Sequence, residues 1–280
     1  MTPERIATLF ERACLAELDA LKPGNVHRFA PGHGLRVEDF EASARAAAPA
    51  VARPGAPLGV RILDAVAATR AVVGTNTNLG ILLLCVPLAA AAERSEPLRE
   101  ALAIVLTGAD RDDAKRTYAA IRLARPGGLG RVEAADVAED PDVPLLEAMR
   151  LAEARDRIAW NWTHGFADPF EIGIPLLARL EARGWSRPWA LAGLHLHLLS
   201  RIPDSHVARK HGRATAEALV EAARPLAARL LAARDPESLR DELLRFDAEL
   251  KAAGLNPGTT ADLVVASAFA ASLADPNPAP

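Results

Sequence analysis

Apolar residues along the chain recur at helical spacing. Ile6, Leu9, Phe10, Ala13, Cys14 and Leu18 share one face of a predicted helix over 3–20. Similar patterns predict helices over 37–52, 59–73, 81–92, 98–106, 110–124, 145–160, 187–200, 213–234 and 239–253. A further helix starts at Asp168, and a last apolar one runs through Leu273. Pro49 is expected to kink or end the second helix. Asp168, Pro169 and Glu171 read as an N-cap, a first helical position and a capping-box partner. No segment alternates with period two over several residues, and no regular repeat is found. The pattern predicts an all-α fold, a single compact bundle of about ten to twelve helices over 1–274. The Pro-rich tail 275–280 is expected to fray.

Polar residues cluster where these helices meet. The first cluster is Lys22-Pro23-Gly24-Asn25-Val26-His27-Arg28, followed by Pro31-Gly32-His33-Gly34. Pro23 and Gly24 stop the first helix, and the turn then presents cations and an amide suited to an anion. Glu17, one turn earlier, reads equally as a surface residue or as part of the same pocket. The second cluster is Gly74-Thr75-Asn76-Thr77-Asn78-Leu79-Gly80. It combines helix capping with backbone N–H groups of the kind that attract phosphate. The third is Asp204-Ser205-His206-Val207-Ala208-Arg209-Lys210-His211-Gly212, and it reads either as a charged helix-turn or as a site for a magnesium-bound polyphosphate. In the second reading Asp204 faces the metal, and Arg209 and Lys210 face the oxygens. The fourth, Leu255-Asn256-Pro257-Gly258-Thr259-Thr260-Ala261-Asp262-Leu263, is another candidate anion or metal corner. Its competing account is a simple cap by Thr259 or Thr260. At a single end of a bundle, four such corners make one pocket.

Composition narrows the classes. The chain has 280 residues, 50% hydrophobic but only 4% aromatic, which suits close-packed Ala- and Leu-rich helices more than sheets. A net charge of −3 gives no global sign of nucleic-acid binding. The longest apolar run, 81–92, is too short to cross a bilayer and contains Pro87. Cys14 and Cys85 read as core thiols of a reducing compartment, and the start of the chain lacks signal-peptide order. These features together predict a cytoplasmic protein. Of 33 basic residues four are Lys, at 22, 115, 210 and 251. Lys22 and Lys210 fall in the polar corners, whereas Lys115 and Lys251 read as solvated helix residues. His195 and His197, two apart, face different sides of a helix and make no metal pair. Asp110, Asp112 and Asp113 suit a helix first turn. Residues 126–130 read as a loop lacking the P-loop pattern, and 131–144 as irregular.

The four corners, in this order, resemble the triphosphoribosyl-dephospho-CoA synthase family. The resemblance rests on Lys-Pro-Gly-x-Val with a nearby Gly-x-His, here only loosely matched by Pro31-Gly32-His33-Gly34. It continues through Asn-Thr-x-x-Gly, Asp-Ser-x-Val-Ala and Leu-x-Pro-Gly-x-Thr-Ala-Asp-Leu, and it spans residues 22 to 263. It implies an all-α transferase acting on ATP with Mg²⁺, in which the 2′-hydroxyl of dephospho-CoA displaces adenine from C1′. The product is a prosthetic-group precursor for acyl-carrier subunits. Displacement at C1′ needs a carboxylate, an acid and a clamp on the triphosphate; Asp204 and Asp262 are expected as metal or base carboxylates, and Lys22, Arg28 and Lys210 as the phosphate clamp. Asn76 and Asn78 orient ribose or base, and His27 or His33 is the acid. Gly24, Asn25, Thr77, Arg209, Gly258, Thr259 and Thr260 complete the expected ATP contacts. The chain departs from the family's usual pattern in several places. Asn78-Leu79 stands for His-Lys, His27 for Asp, and Lys210-His211-Gly212 for Arg-Gly-Gly. Trp160 to Phe170 stands where the family has a Gly-rich stretch with paired Glu. These departures resemble a divergent branch associated with pterin- or furan-type one-carbon carriers. A related nucleotide-dependent transferase and a non-catalytic nucleotide-binding protein are therefore the alternative expectations.

Overall fold

A computed structural model describes residues 1–126 and 137–275. Among them are fourteen α-helices and no strand, two more than the upper end of the expected range. The first six are α1 Pro3–Leu18, α2 Val37–Val51, α3 Leu58–Val73, α4 Leu79–Ala92, α5 Leu98–Gly108 and α6 Arg111–Ala124. Next come α7 Leu145–Ala152, α8 Arg157–Thr163, α9 Ile174–Ala182 and α10 Arg187–Leu199. The last four are α11 Ser205–His211, α12 Arg213–Ala232, α13 Arg240–Ala252 and α14 Gly258–Ala274. The expected loop at 126–130 lies outside the described residues after Pro126, as do 131–136 and the tail after 275, whereas 137–144 holds no helix or strand, as expected of the irregular stretch.

Two helices are apolar around their whole circumference and form the centre. α4 buries Ile81, Leu82, Leu84, Cys85, Val86 and Leu88, and α14 buries Leu263, Val264, Val265, Phe269 and Leu273. α14 packs against α1, α4, α9, α10 and α11, so it is enclosed on all sides. Phe10 of α1 meets Phe269 of α14 edge-on, with ring centroids 5.9 Å apart. Pro87 sits inside α4 and has no N–H for the carbonyl of Leu83. The indole Nε1 of buried Trp162 donates to that carbonyl at 3.0 Å, so the helix continues without an orphaned acceptor. α2 likewise runs past Pro49, to Val51.

Three local expectations change. The helix over 145–160 is broken, because Asp156 accepts from the N–H groups of Ile158 and Ala159 and starts α8 afresh. Asp168 is not a cap. It is buried, receives two bonds at 2.7 Å from Arg157 and one from Asn161 Nδ2, and opens a π-helical turn, Asp168–Gly173. Glu171 is exposed and pairs with Arg99. Lys251 is not solvated: its ammonium donates to Asp247 at 2.9 Å and to the Ala30 carbonyl at 3.1 Å. Cys14 and Cys85 are free and buried, as core thiols should be. No helix among the described residues is long and apolar enough to cross a membrane.

Candidate active site

The four polar corners do converge. They surround a cleft of about 380 Å³, within the range of small-molecule sites. Its floor is the start of α14 against the start of α4. Gly80 lies so close to the Asp262 carboxylate that a Cβ there would overlap it. One wall comes from the start of α11, the other from α2 and the end of α6.

Asp262 lies on this floor, partly open to the cleft and enclosed elsewhere. No hydrogen bond or ion pair to it is found among the described residues. Burial pushes its carboxyl well above the usual range, and the charges of Asp204, Glu17 and Asp156 add to this against Arg209. Asp204 is a different kind of group. It is buried, and its Oδ1 accepts from the N–H groups of His206 and Val207 at 2.8 and 3.0 Å. Its Oδ2 accepts from the N–H and hydroxyl of Thr260 at 2.7 and 2.8 Å. One carboxylate thus caps the starts of both α11 and α14, and its lone pairs are spent. Asp204 and Thr260 hold the site together from behind, and neither faces the cleft. This corrects the expectation that Asp204 serves as base or metal ligand.

The first corner also divides. Lys22 is fully buried, because the Pro23–Gly24 turn folds it back onto Glu17 of α1, with which it forms a short ion pair. Burial lowers the ammonium's pKa and raises the Glu17 carboxyl's, each opposed by the partner. Lys22 lies behind the cleft wall, not in a phosphate clamp, whereas Glu17 reaches the cleft. His27 is also buried and faces Asp247 of α13 at 3.3 Å, while its Nδ1 accepts from Phe29 N–H at 3.2 Å. With both nitrogens engaged away from the cleft, it is no acid for a ligand there. Burial pushes the Asp247 carboxyl up, yet bonds from His27, Lys251 and Gly24 hold it below its ordinary value. Arg28 points outward and pairs with Asp19 and Glu41, so it too leaves the clamp. Gly24 is structural: its φ of +83° suits glycine, and a Cβ would come within 2.8 Å of Pro257.

Other expected residues line the cleft: Asn25, His33, Asn76, Thr77, Asn78, Arg209, Lys210, Gly258 and Thr259. Asn25 donates to Asn256 at 2.8 Å, joining the first corner to the fourth. His33 Nε2 is held by the Gly24 carbonyl at 2.8 Å. Arg209 pairs with Asp156 at 2.8 Å, and its buried Nε has no partner among the described residues. Lys210 is exposed, with no ion pair found among the described residues. Sequence reasoning missed Phe40, Arg125, Asp156 and His206 as lining residues. His206 lay inside a quoted corner. The other three come from helix ends or faces whose direction only packing decides. Burial and the nearby charges of Lys210 and Arg209 push the His206 imidazole down to about 3, so it stays neutral.

The carboxylates offer no prebuilt metal cage: no group of three or more His, Cys, Asp or Glu suited to a metal is found among the described residues. Their donor set instead suits Mg²⁺ arriving on phosphate, since that ion keeps its waters and uses one or two carboxylates. Of the two expected ligands Asp262 fits this and Asp204, fully bonded, does not.

A solved structure from Archaeoglobus fulgidus, provisionally named a triphosphoribosyl-dephospho-CoA synthase, is similar to this chain. Identity is 29% and the TM-score 0.65, over 83% of this chain and 98% of that one. No curated protein matches. The pattern defining the family described as ATP:dephospho-CoA triphosphoribosyl transferase matches residues 3–279. Nearly the whole chain is covered, with all four corners inside that span, and the chain belongs to this family of transferases.

Proposed function

We propose that the cleft binds Mg-ATP beside dephospho-CoA, with Asp262 as the carboxylate at the reacting centre. The observation that carries this is Asp262 itself, a carboxylate without a partner among the described residues, on the floor of a cleft whose rim holds Arg209 and Lys210. The 2′-hydroxyl oxygen of dephospho-CoA bonds to C1′ of ATP as the C1′–N9 bond breaks. Its electron pair leaves with adenine, and the hydroxyl proton passes to Asp262. A carboxyl held above its usual range is a better proton acceptor than an exposed one, and its charge offsets positive charge growing on the ribose. Arg209 and Lys210 hold the triphosphate, whose Mg²⁺ has Asp262 open to it. His33, which lines the cleft, supplies the proton to the departing base.

Incubation with Mg-ATP and dephospho-CoA is expected to release adenine, read by chromatography. ADP or AMP in its place, or adenine only with a different acceptor, would overturn the reaction. Lys210→Ala is expected to weaken ATP binding about tenfold, the worth of one charge-assisted bond at a partly exposed site, with melting unchanged. Equal binding by calorimetry removes Lys210 from the clamp.

A further inference from the structure

Among the described residues, the Arg and Lys side chains lining the cleft are Arg209 and Lys210 on α11 and Arg125 at the end of α6. They belong to separate parts of the fold. α11 packs on α12 and α14, whereas α6 packs on α3 and α7. The two basic residues that close α6 differ in their duties. Arg122 is tied to its own wall, donating to the Asp140 carboxylate at 2.7 Å and to the Val137 carbonyl at 2.9 Å. Arg125 is exposed, and its guanidinium has no hydrogen bond or ion pair among the described residues.

The backbone at Arg125 is left-handed, with φ 51° and ψ 54°, while its N–H still caps the Ile121 carbonyl. Pro126 disfavours the helical conformation in the residue before it, so α6 stops here. Glycine takes such a C-terminal position with least strain. An arginine in its place, with its side chain free, points to a task for that side chain outside the fold. Ile121 stands one helical turn earlier and lines the cleft too, as do Leu35 and Phe40 from the start of α2. An apolar strip that ends in a free guanidinium suits a ligand with an apolar body and a phosphate group.

From this we infer that Arg125 binds the acceptor: its guanidinium holds the diphosphate of dephospho-CoA, while Arg209 and Lys210 hold the triphosphate of ATP. The inference rests on the proposed reaction, in which two polyphosphates share one cleft. Two such groups repel each other, and a cation of its own for each, on separate elements, offsets that repulsion. Arg125 touches no reacting atom in this assignment. It binds ground state and transition state alike, so its kinetic signature is a change in KM for the acceptor with kcat nearly unchanged.

The test uses Arg125→Gly, which removes the guanidinium and gives the left-handed backbone its preferred residue, so melting should stay close to wild type. With Mg-ATP saturating, KM for dephospho-CoA is expected to rise about tenfold, the worth of one charge-assisted bond at an exposed site. The Kd of Mg-ATP, by calorimetry, should not change. Added salt should raise KM for dephospho-CoA less in the variant than in wild type, because one cation is gone. Arg125→Lys keeps the charge without the planar fork and should recover part of the loss. An unchanged KM for dephospho-CoA in Arg125→Gly would overturn the assignment. So would a weakened Kd for ATP, which would move Arg125 to the triphosphate, or a lower Tm with equal losses for both substrates, which would make its role structural. If wild type releases adenine with dephospho-CoA and Arg125→Gly matches it, only the role of Arg125 falls. No adenine from wild type with dephospho-CoA would take both readings with it.

Discussion

Replacing Asp262 by Asn is expected to make the protein nearly inactive and more heat-stable at once. The carboxylate lies against Gly80 with no hydrogen-bond donor among the described residues and with Asp204, Glu17 and Asp156 near enough to raise its pKa. Loss of a positioned proton acceptor costs about 10²- to 10⁴-fold in rate, read here as adenine release. The stability effect follows from linkage. The folded pKa lies above that of an unfolded Asp, about 3.9, so the folded form holds its proton longer. The stability this contributes is complete below the unfolded pKa and is lost as pH rises through the folded one. Wild type should therefore fall behind Asp262→Asn in Tm as pH is raised from 4 towards 8, because the variant never has to bury the charge. Glu17 and Asp204, also raised by burial, titrate in both proteins; their charges and that of Asp262 repel one another, so the substitution eases their ionisation and widens the difference in the same direction. Parallel Tm curves for the two proteins would show that Asp262 is already charge-compensated. Unaltered adenine release would remove it from the reaction.

Lys22→Met should destabilise the fold by about 3–5 kcal/mol, because it strands Glu17 as a buried, uncompensated charge. Adding Glu17→Gln should recover much of that loss, since removing both charges avoids their desolvation. Urea midpoints of the three proteins measure this. A Lys22→Met protein as stable as wild type but unable to bind ATP would restore Lys22 to the phosphate clamp.

These two residues mark where the sequence stops being legible. The helices were readable because an apolar stripe has a period and a core to face, and α4 and α14 stood out as apolar runs. The corners were readable because glycine, proline and amides end helices. Asp204 and Asp262 could not be told apart, for each stands near a helix start beside small polar residues. What separates them is that Asp204 finds the N–H groups of two helices, one in its own segment and one 56 residues on. Lys22 carries no mark of burial either, since its partner is five residues back across a turn whose fold depends on Asp247. Asp247 itself reads as one more acid on an amphipathic helix. The break before α8 was hidden because Asp156 reads as one more polar residue on a helical pattern; its Oδ1 caps α8 locally while its Oδ2 takes Arg209 from 53 residues on.

The clasp between Asn25 and Asn256 spans 231 residues, and Gly24 rests on Pro257 beside it. During synthesis, then, the cleft does not exist until the segment from Asn256 into α14 has left the ribosome. Until that moment α1, α4 and α10 expose the apolar faces that α14 will cover. A nascent chain in this state is a target for chaperones and a source of aggregates, and closing so long a loop makes the last step slow. Ribosome stalling or proteolysis near residue 255 would yield a chain with most of its helices but without Asp262 and the floor of its cleft.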